Sequence, residues 1–201
     1  MWDCYLYILI GVFIFFSLTV RVITGFGSAM MLAPVISLFL GPKNAVMFVI
    51  LLESAMAVVF ICKERLNFEI THIFFGGILG ILTGIFLFGF LSQRIVGFTI
   101  GVCVLTFSIL FLLNIHFRTE NGGLLFTTLG FLSGSMGVLT GINGPQIVLG
   151  LVNQGYDGRF IRRCMITYLI VIDFITLASF SLSGYLTANL FLLLIYSIPV
   201  I

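Results

Sequence analysis

The chain has 201 residues, of which 61% are hydrophobic and only 8% charged, with a formal net charge of +2 and a mean hydropathy of +1.29. Soluble domains carry about a quarter charged residues, so a water-soluble globule is excluded. No stretch combines clustered Lys and Arg with polar surface, which excludes a nucleic-acid partner.

Taken in chain order, apolar runs of bilayer-spanning length lie near 4–20, 44–62, 70–91, 95–115, 164–184 and 188–201. Two further apolar stretches, 24–40 and 124–156, are interrupted by Gly, Pro and small polar residues. The N-terminal flank carries Asp3 and no Lys or Arg, so the first run reads as a retained span rather than a secretory signal. Trp2, Tyr5 and Tyr7 fit an interfacial aromatic belt. Short hydrophilic links follow the spans: "KERLNFE" at 63–69, "SQR" at 92–94, "HFRTENGG" at 116–123 and "GYDGRFIRR" at 155–163. The runs are continuous rather than alternating, so a β-barrel is excluded. The expected fold is an all-α integral membrane protein, a polytopic helical bundle forming one domain over 1–201.

Sliding the chain by 116 positions lays "FFSLTVRVITGFG" (15–27) over "FLSGSMGVLTGIN" (131–143). Phe15, Ser17, Val22, Thr24 and Gly25 then coincide with Phe131, Ser133, Val138, Thr140 and Gly141, and Lys43 falls on Arg159. Both copies place a small-polar break between two apolar stretches, then a basic link, then a long span. We therefore read an internal duplication, repeat 1 over about 4–115 and repeat 2 over about 120–201. If each break marks a change of side, the segments run near 4–20, 24–40, 44–62, 70–91, 95–115, 124–139, 143–156, 164–184 and 188–201. Alternate links then gather Arg21, Lys63, Arg65, Arg118, Arg159, Arg162 and Arg163 on one face against Lys43 and Arg94. The positive-inside rule places that face in the cytoplasm and the N-terminus outside. The breaks fall five segments apart, so the repeats are inverted, as in many carriers of the cell membrane.

The two breaks, "TGFGSAMMLAP" and "TGINGPQIVL", are the candidate site. A helix ending near Gly141 and another starting near Gly144, with Pro145 in its first turn, leave unpaired backbone groups at membrane depth. Those groups are tolerated only inside protein or along a wet cavity. New helix N-termini offer N–H donors and a positive dipole end, which suits an anion. Thr24, Ser28, Thr140, Asn143 and Gln146 can add side-chain hydrogen bonds. A packing break or an interfacial turn is the alternative.

Pairing "RVITGFGSAMMLAPVISLFLGPKNAV" (21–46) with "GFLSGSMGVLTGINGPQIVLGLVNQG" (130–155), the chain resembles the sulfite exporter TauE/SafE family over nearly its whole length, including "GYLT" at 184–187. The resemblance implies a duplicated transporter of small sulfur-containing anions such as sulfite, sulfoacetate or thiosulfate. It also implies that Gly25, Gly27, Pro34, Gly141, Gly144 and Pro145 shape the two half-helix breaks. Family members usually continue for a further span or two, so repeat 2 reads as incomplete. A truncated chain, or one completed by homo-oligomerisation, follows from that departure. The rival functions are a passive anion channel and a non-transporting subunit that needs a partner.

Three charged residues lie within or beside apolar runs. Arg21 either supplies a fixed positive charge to an oxyanion, snorkels to the headgroups or marks topology. Glu53 in "VILLESAMAVV" and Asp173 in "LIVIDFITLAS" sit near the middle of their spans, and intramembrane acids are functional candidates. A protonatable pair couples anion movement to protons; the alternatives are a structural pair with Arg21 or protonated acids hydrogen-bonded to neighbours. The four cysteines, Cys4, Cys62, Cys103 and Cys164, are scattered singly and read as small packing residues. His72 and His116 lie at span ends, which offers no metal or haem ligand set. "GYDGRFIRR" is a topology determinant, with anionic-lipid contact as the minor alternative. No P-loop and no nucleophile–base set is present, so neither a cofactor nor enzymatic catalysis is expected.

Overall fold

The computed structural model describes residues 2–64, 66–113 and 121–197, with side chains from residue 10 onward and Tyr196 excepted. Arg65, His116 and Arg118, and the side chains of Trp2, Cys4, Tyr5 and Tyr7, lie outside the described residues. Among the described residues the order is α1 (Trp2–Thr24), α2 (Ser28–Leu40), α3 (Pro42–Lys63), α4 (Thr71–Phe90), α5 (Gln93–Leu112), α6 (Gly122–Thr140), α7 (Pro145–Asn153), α8 (Gly158–Leu182) and α9 (Ala188–Ser197). The expected nine segments are therefore present as nine helices, with no strand among the described residues. Helices α3, α4, α5, α6 and α8 are long and apolar enough to cross a membrane. The protein is an integral membrane helical bundle.

Helix α3 is the centre. Its residues from Ala45 to Ser54 are all buried, as are Met56, Ala57 and Phe60. A helix that is apolar on every side has no face for water or lipid and belongs inside the bundle. Helix α5 is the contrast: Phe98, Leu105 and Leu112 are exposed, which in a bilayer presents them to acyl chains.

Helices α4 and α6 lie backbone to backbone. A Cβ added at Gly76, Gly80, Gly130 or Gly134 would overlap a carbonyl oxygen of the facing helix, and one at Gly84 would lie 2.9 Å from the Val138 Cβ. Within a membrane no hydrophobic effect draws helices together. Close van der Waals approach over small residues supplies the attraction instead. This seam fixes α6, and with α6 the position of the second break.

The ends of the elements follow local chemistry. Asp157 caps α8, its carboxylate accepting from the Arg159 N–H at 3.1 Å, and Ser92 does the same for Ile95 at the start of α5. Pro42 and Pro145 each occupy the first turn of a helix, where a missing N–H costs nothing. Pro34 corrects an expectation: it lies inside α2, which runs unbroken from Ser28 to Leu40. The family resemblance implies that Pro34 shapes the first break, although an interior proline removes only one backbone bond. Its neighbourhood is tied locally, the Ser37 hydroxyl donating to the Pro34 carbonyl at 2.7 Å. Among the cysteines, Cys103 and Cys164 are buried packing residues, whereas Cys62 is exposed.

Candidate functional site

The two breaks are built alike. Gly25 (φ +87°) and Gly141 (φ +77°) take the left-handed conformation that stops a helix and that glycine adopts without a Cβ clash. The Gly25 N–H donates to the Arg21 carbonyl at 2.7 Å, and the Gly141 N–H to the Gly137 carbonyl at 2.8 Å. The Thr24 hydroxyl donates to the Val20 carbonyl at 2.8 Å and accepts from the Phe26 N–H at 3.3 Å. The Thr140 hydroxyl donates to the Met136 carbonyl at 2.7 Å and accepts from the Ile142 N–H at 3.2 Å. Both threonines therefore serve the turn itself, and Thr24 is exposed. Gly27 (φ +96°) and Gly144 precede α2 and α7 directly. The breaks also meet: a Cβ on Gly144 would lie 3.1 Å from the Phe26 Cβ.

Between them sits a buried charge cluster. Arg21, in the last turn of α1, is 1% exposed. Snorkelling to the headgroups is thereby ruled out. One arm of its guanidinium contacts Glu53 of α3, and the other donates to Asp173 Oδ2 of α8 at 3.0 Å. The two carboxylates are 3% and 1% exposed. Ser28, the first residue of α2, donates its hydroxyl to Glu53 Oε1. Asn143, inside the second break, donates its amide to Asp173 Oδ1 at 2.7 Å. Four helices and a break thus converge on one guanidinium. The Phe60 ring lies 6.0 Å from the Arg21 Cζ. Arg21 Nε has no hydrogen-bond partner among the described residues.

Glu53 and Asp173 lie four residues out of step with the 116-residue offset of the breaks. Four residues are close to one helical turn, so the slip rotates a side chain by only about 40°. Both acids therefore keep the face that looks toward the breaks. This is why they reach the same arginine despite the imperfect alignment.

Gln146 sits in the first turn of α7, its amide N–H near the Met136 sulfur at 3.2 Å and its Oε1 buried without a hydrogen-bond partner among the described residues. Of the expected site residues, the structure gathers Arg21, Ser28, Glu53, Asn143 and Asp173 into one network. Gly25, Gly27, Gly141, Gly144 and Pro145 form the adjoining backbone, and Thr24 points away. No group of three or more potential metal ligands occurs among the described residues.

Three participants were not singled out by the sequence. Ser133 donates its hydroxyl to the Asn143 carbonyl, holding the second break; its coincidence with Ser17 in the duplication was the available signal. Tyr168 of α8 is fully buried, with Ser133 and Asp173 as polar neighbours, and lies in an apolar run of sequence where no pattern marked it. Arg162, expected as part of a topology determinant with anionic-lipid contact as the minor alternative, donates through Nη2 and Nε to the Val22 carbonyl at 2.9 and 3.3 Å. It also pairs with Glu64 at 2.8 Å. A cation on the last carbonyls satisfies orphan acceptors at the C-terminal end of α1, next to the first break.

The family model described as sulfite exporter TauE/SafE matches residues 8–201. The chain belongs to that family. TauE/SafE proteins are membrane transporters of sulfite and related anions, and this chain is a membrane transport protein of that kind. Searches of curated proteins and of solved structures gave no match. For a TauE/SafE protein the arrangement is chemically apt. A guanidinium is permanently charged and matches oxyanion geometry, and here it stands at the junction of two helix breaks, away from water.

Proposed function

We propose that this chain is a secondary carrier that moves small sulfur oxyanions or sulfonates, such as sulfite, thiosulfate or sulfoacetate, across the cell membrane. The observation that carries the proposal is the buried Arg21 at the meeting point of both breaks. A fixed cation at that depth is costly and is offset at rest by Glu53 and Asp173; it is also the group whose geometry matches an oxyanion. Ser28 and Asn143 are the neighbouring side-chain donors, and the first turns of α2 and α7 add the positive ends of two helix dipoles. The matched hydrogen bonds of Thr24 and Thr140 support an internal duplication, with repeats of about 4–115 and 120–201. In that scheme the repeats are inverted, the N-terminus is outside, and rocking of one repeat against the other alternates access. Glu53 and Asp173 are the candidates for coupling transport to protons.

The test is uptake of labelled sulfite, thiosulfate and sulfoacetate by liposomes containing the 201-residue chain, with and without a proton gradient. Saturable uptake that accumulates one anion against its gradient is expected, and its loss in Arg21→Gln ties the flux to the cluster. Flux that never accumulates would identify a passive pore instead. Absence of flux from well-inserted protein would refute the carrier.

A further inference from the structure

Among the described residues Arg21 is the only cation within ion-pair distance of Glu53 or Asp173. Two ionised carboxylates around one guanidinium leave a net charge of −1. A transported anion entering this cluster unchanged would raise that to −2 or beyond in a water-poor interior, where unpaired charge is expensive. The two carboxylates also occupy the places that suit an anion. Glu53 is held by the first residue of α2 and Asp173 by the break that precedes α7.

Resting on the anion-carrier reading above, we propose that Glu53 is a tethered stand-in for the transported anion. Substrate takes Arg21 by displacing the Glu53 carboxylate, and the displaced group binds one proton, –COO⁻ + H⁺ → –COOH, so that anion and proton enter the site together. The charge of the protein part of the cluster then falls from −1 to 0 as the substrate arrives.

The choice of Glu53 over Asp173 follows from their partners. A hydroxyl both donates and accepts, so Ser28 can donate to the Glu53 carboxylate and accept from its protonated form. The Asn143 Nδ2 can only donate, which suits an Asp173 that stays ionised. Asp173 then remains the permanent counter-charge that positions Arg21, while Glu53 exchanges. The Nη1 arm that Glu53 leaves then presents its N–H groups to the oxyanion while Asp173 keeps Nη2. The groups facing the exchange are Arg21 from α1, Ser28 from α2, Glu53 and the Phe60 ring from α3, Asn143 from the second break, and Asp173 from α8. The Tyr168 hydroxyl is a neighbour of Asp173 on α8.

The full chain, purified in detergent or nanodiscs, is titrated with thiosulfate and with methanesulfonate, neither of which changes protonation between pH 6 and 8. Calorimetry in two buffers of different ionisation enthalpy reads the protons taken up. About one proton per bound anion is expected, with affinity falling about tenfold per pH unit. Glu53→Gln, which imitates the protonated acid, binds with no proton uptake and no pH dependence, whereas Asp173→Asn keeps the uptake if it binds. Binding by the native chain without proton uptake overturns the exchange and leaves the anion site standing. Uptake that persists in Glu53→Gln overturns the assignment to Glu53. Failure of the inserted native chain to bind either anion removes the carrier reading, and the exchange with it.

Discussion

Replacing Arg21 by Met removes the only cation that pairs with Glu53 and Asp173 among the described residues, while keeping a long side chain in the space it fills. Breaking a buried ion pair from one side costs about 3–5 kcal/mol, because the surviving charge is left without compensation. Here two carboxylates would be stranded. A stability change of about 1 kcal/mol shifts the melting temperature of a chain this size by about 2–4 °C, so Arg21→Met should melt about 6–20 °C below the native protein. Neutralising the acids as well, in Arg21→Met with Glu53→Gln and Asp173→Asn, removes the stranded charges. The amides retain groups that can bond to Ser28 and Asn143, so the triple variant should recover most of the loss, as uncharged replacements of buried ionic clusters often do. Thermal unfolding in detergent, followed by intrinsic fluorescence, reads both effects. A single variant that melts within about 2 °C of the native protein, or a triple variant no more stable than the single, would refute the account of a mutually compensating buried cluster.

Gly141→Leu places a side chain at φ +77°, a conformation costing about 1–2 kcal/mol for such a residue; insertion should persist while anion flux into liposomes is abolished, and normal flux would remove the second break from the site. Gly80→Leu sets a side chain against the Phe131 carbonyl across the α4–α6 seam, whereas Gly101 has nothing within 4 Å of an added Cβ. The first substitution should destabilise by about 1–3 kcal/mol or more and the second should not, which parallel melting curves would decide. Arg162→Gln loses the two bonds to the Val22 carbonyl and the pair with Glu64. Because this group is partly exposed the loss should be only about 1 kcal/mol, and a double-mutant cycle with Glu64→Gln should show non-additivity.

The number and placement of helices were legible because a bilayer imposes one simple rule: about 20 apolar residues make a span, and polar interruptions end it. The second break was equally legible. Gly141 and Pro145 are residues whose backbones stop and start helices for local reasons, and α6 ends at Thr140 as α7 begins at Pro145. Pro34 differs: the family resemblance implied a role in the first break, yet α2 continues through it. Thr24 and Thr140 showed a further limit. Their residue type promised hydrogen bonds, but the bonds close the turns locally and are not directed at the cluster.

The sequence by itself determined that the chain lives in a membrane, where its helices start and stop, and that Arg21, Glu53 and Asp173 are expensive residues requiring an explanation. Those conclusions rest on composition and on interactions between near neighbours in the chain. Only the tertiary structure decided that the three charges are one object. Arg21 and Asp173 are separated by 152 positions, and no spacing rule links residues on helices that meet through packing. The arginine that sequence left between headgroup, topology and substrate is buried against two carboxylates because α3 and α8 present their acids to the end of α1. In an interior that cannot solvate charge, partners must be found in three dimensions.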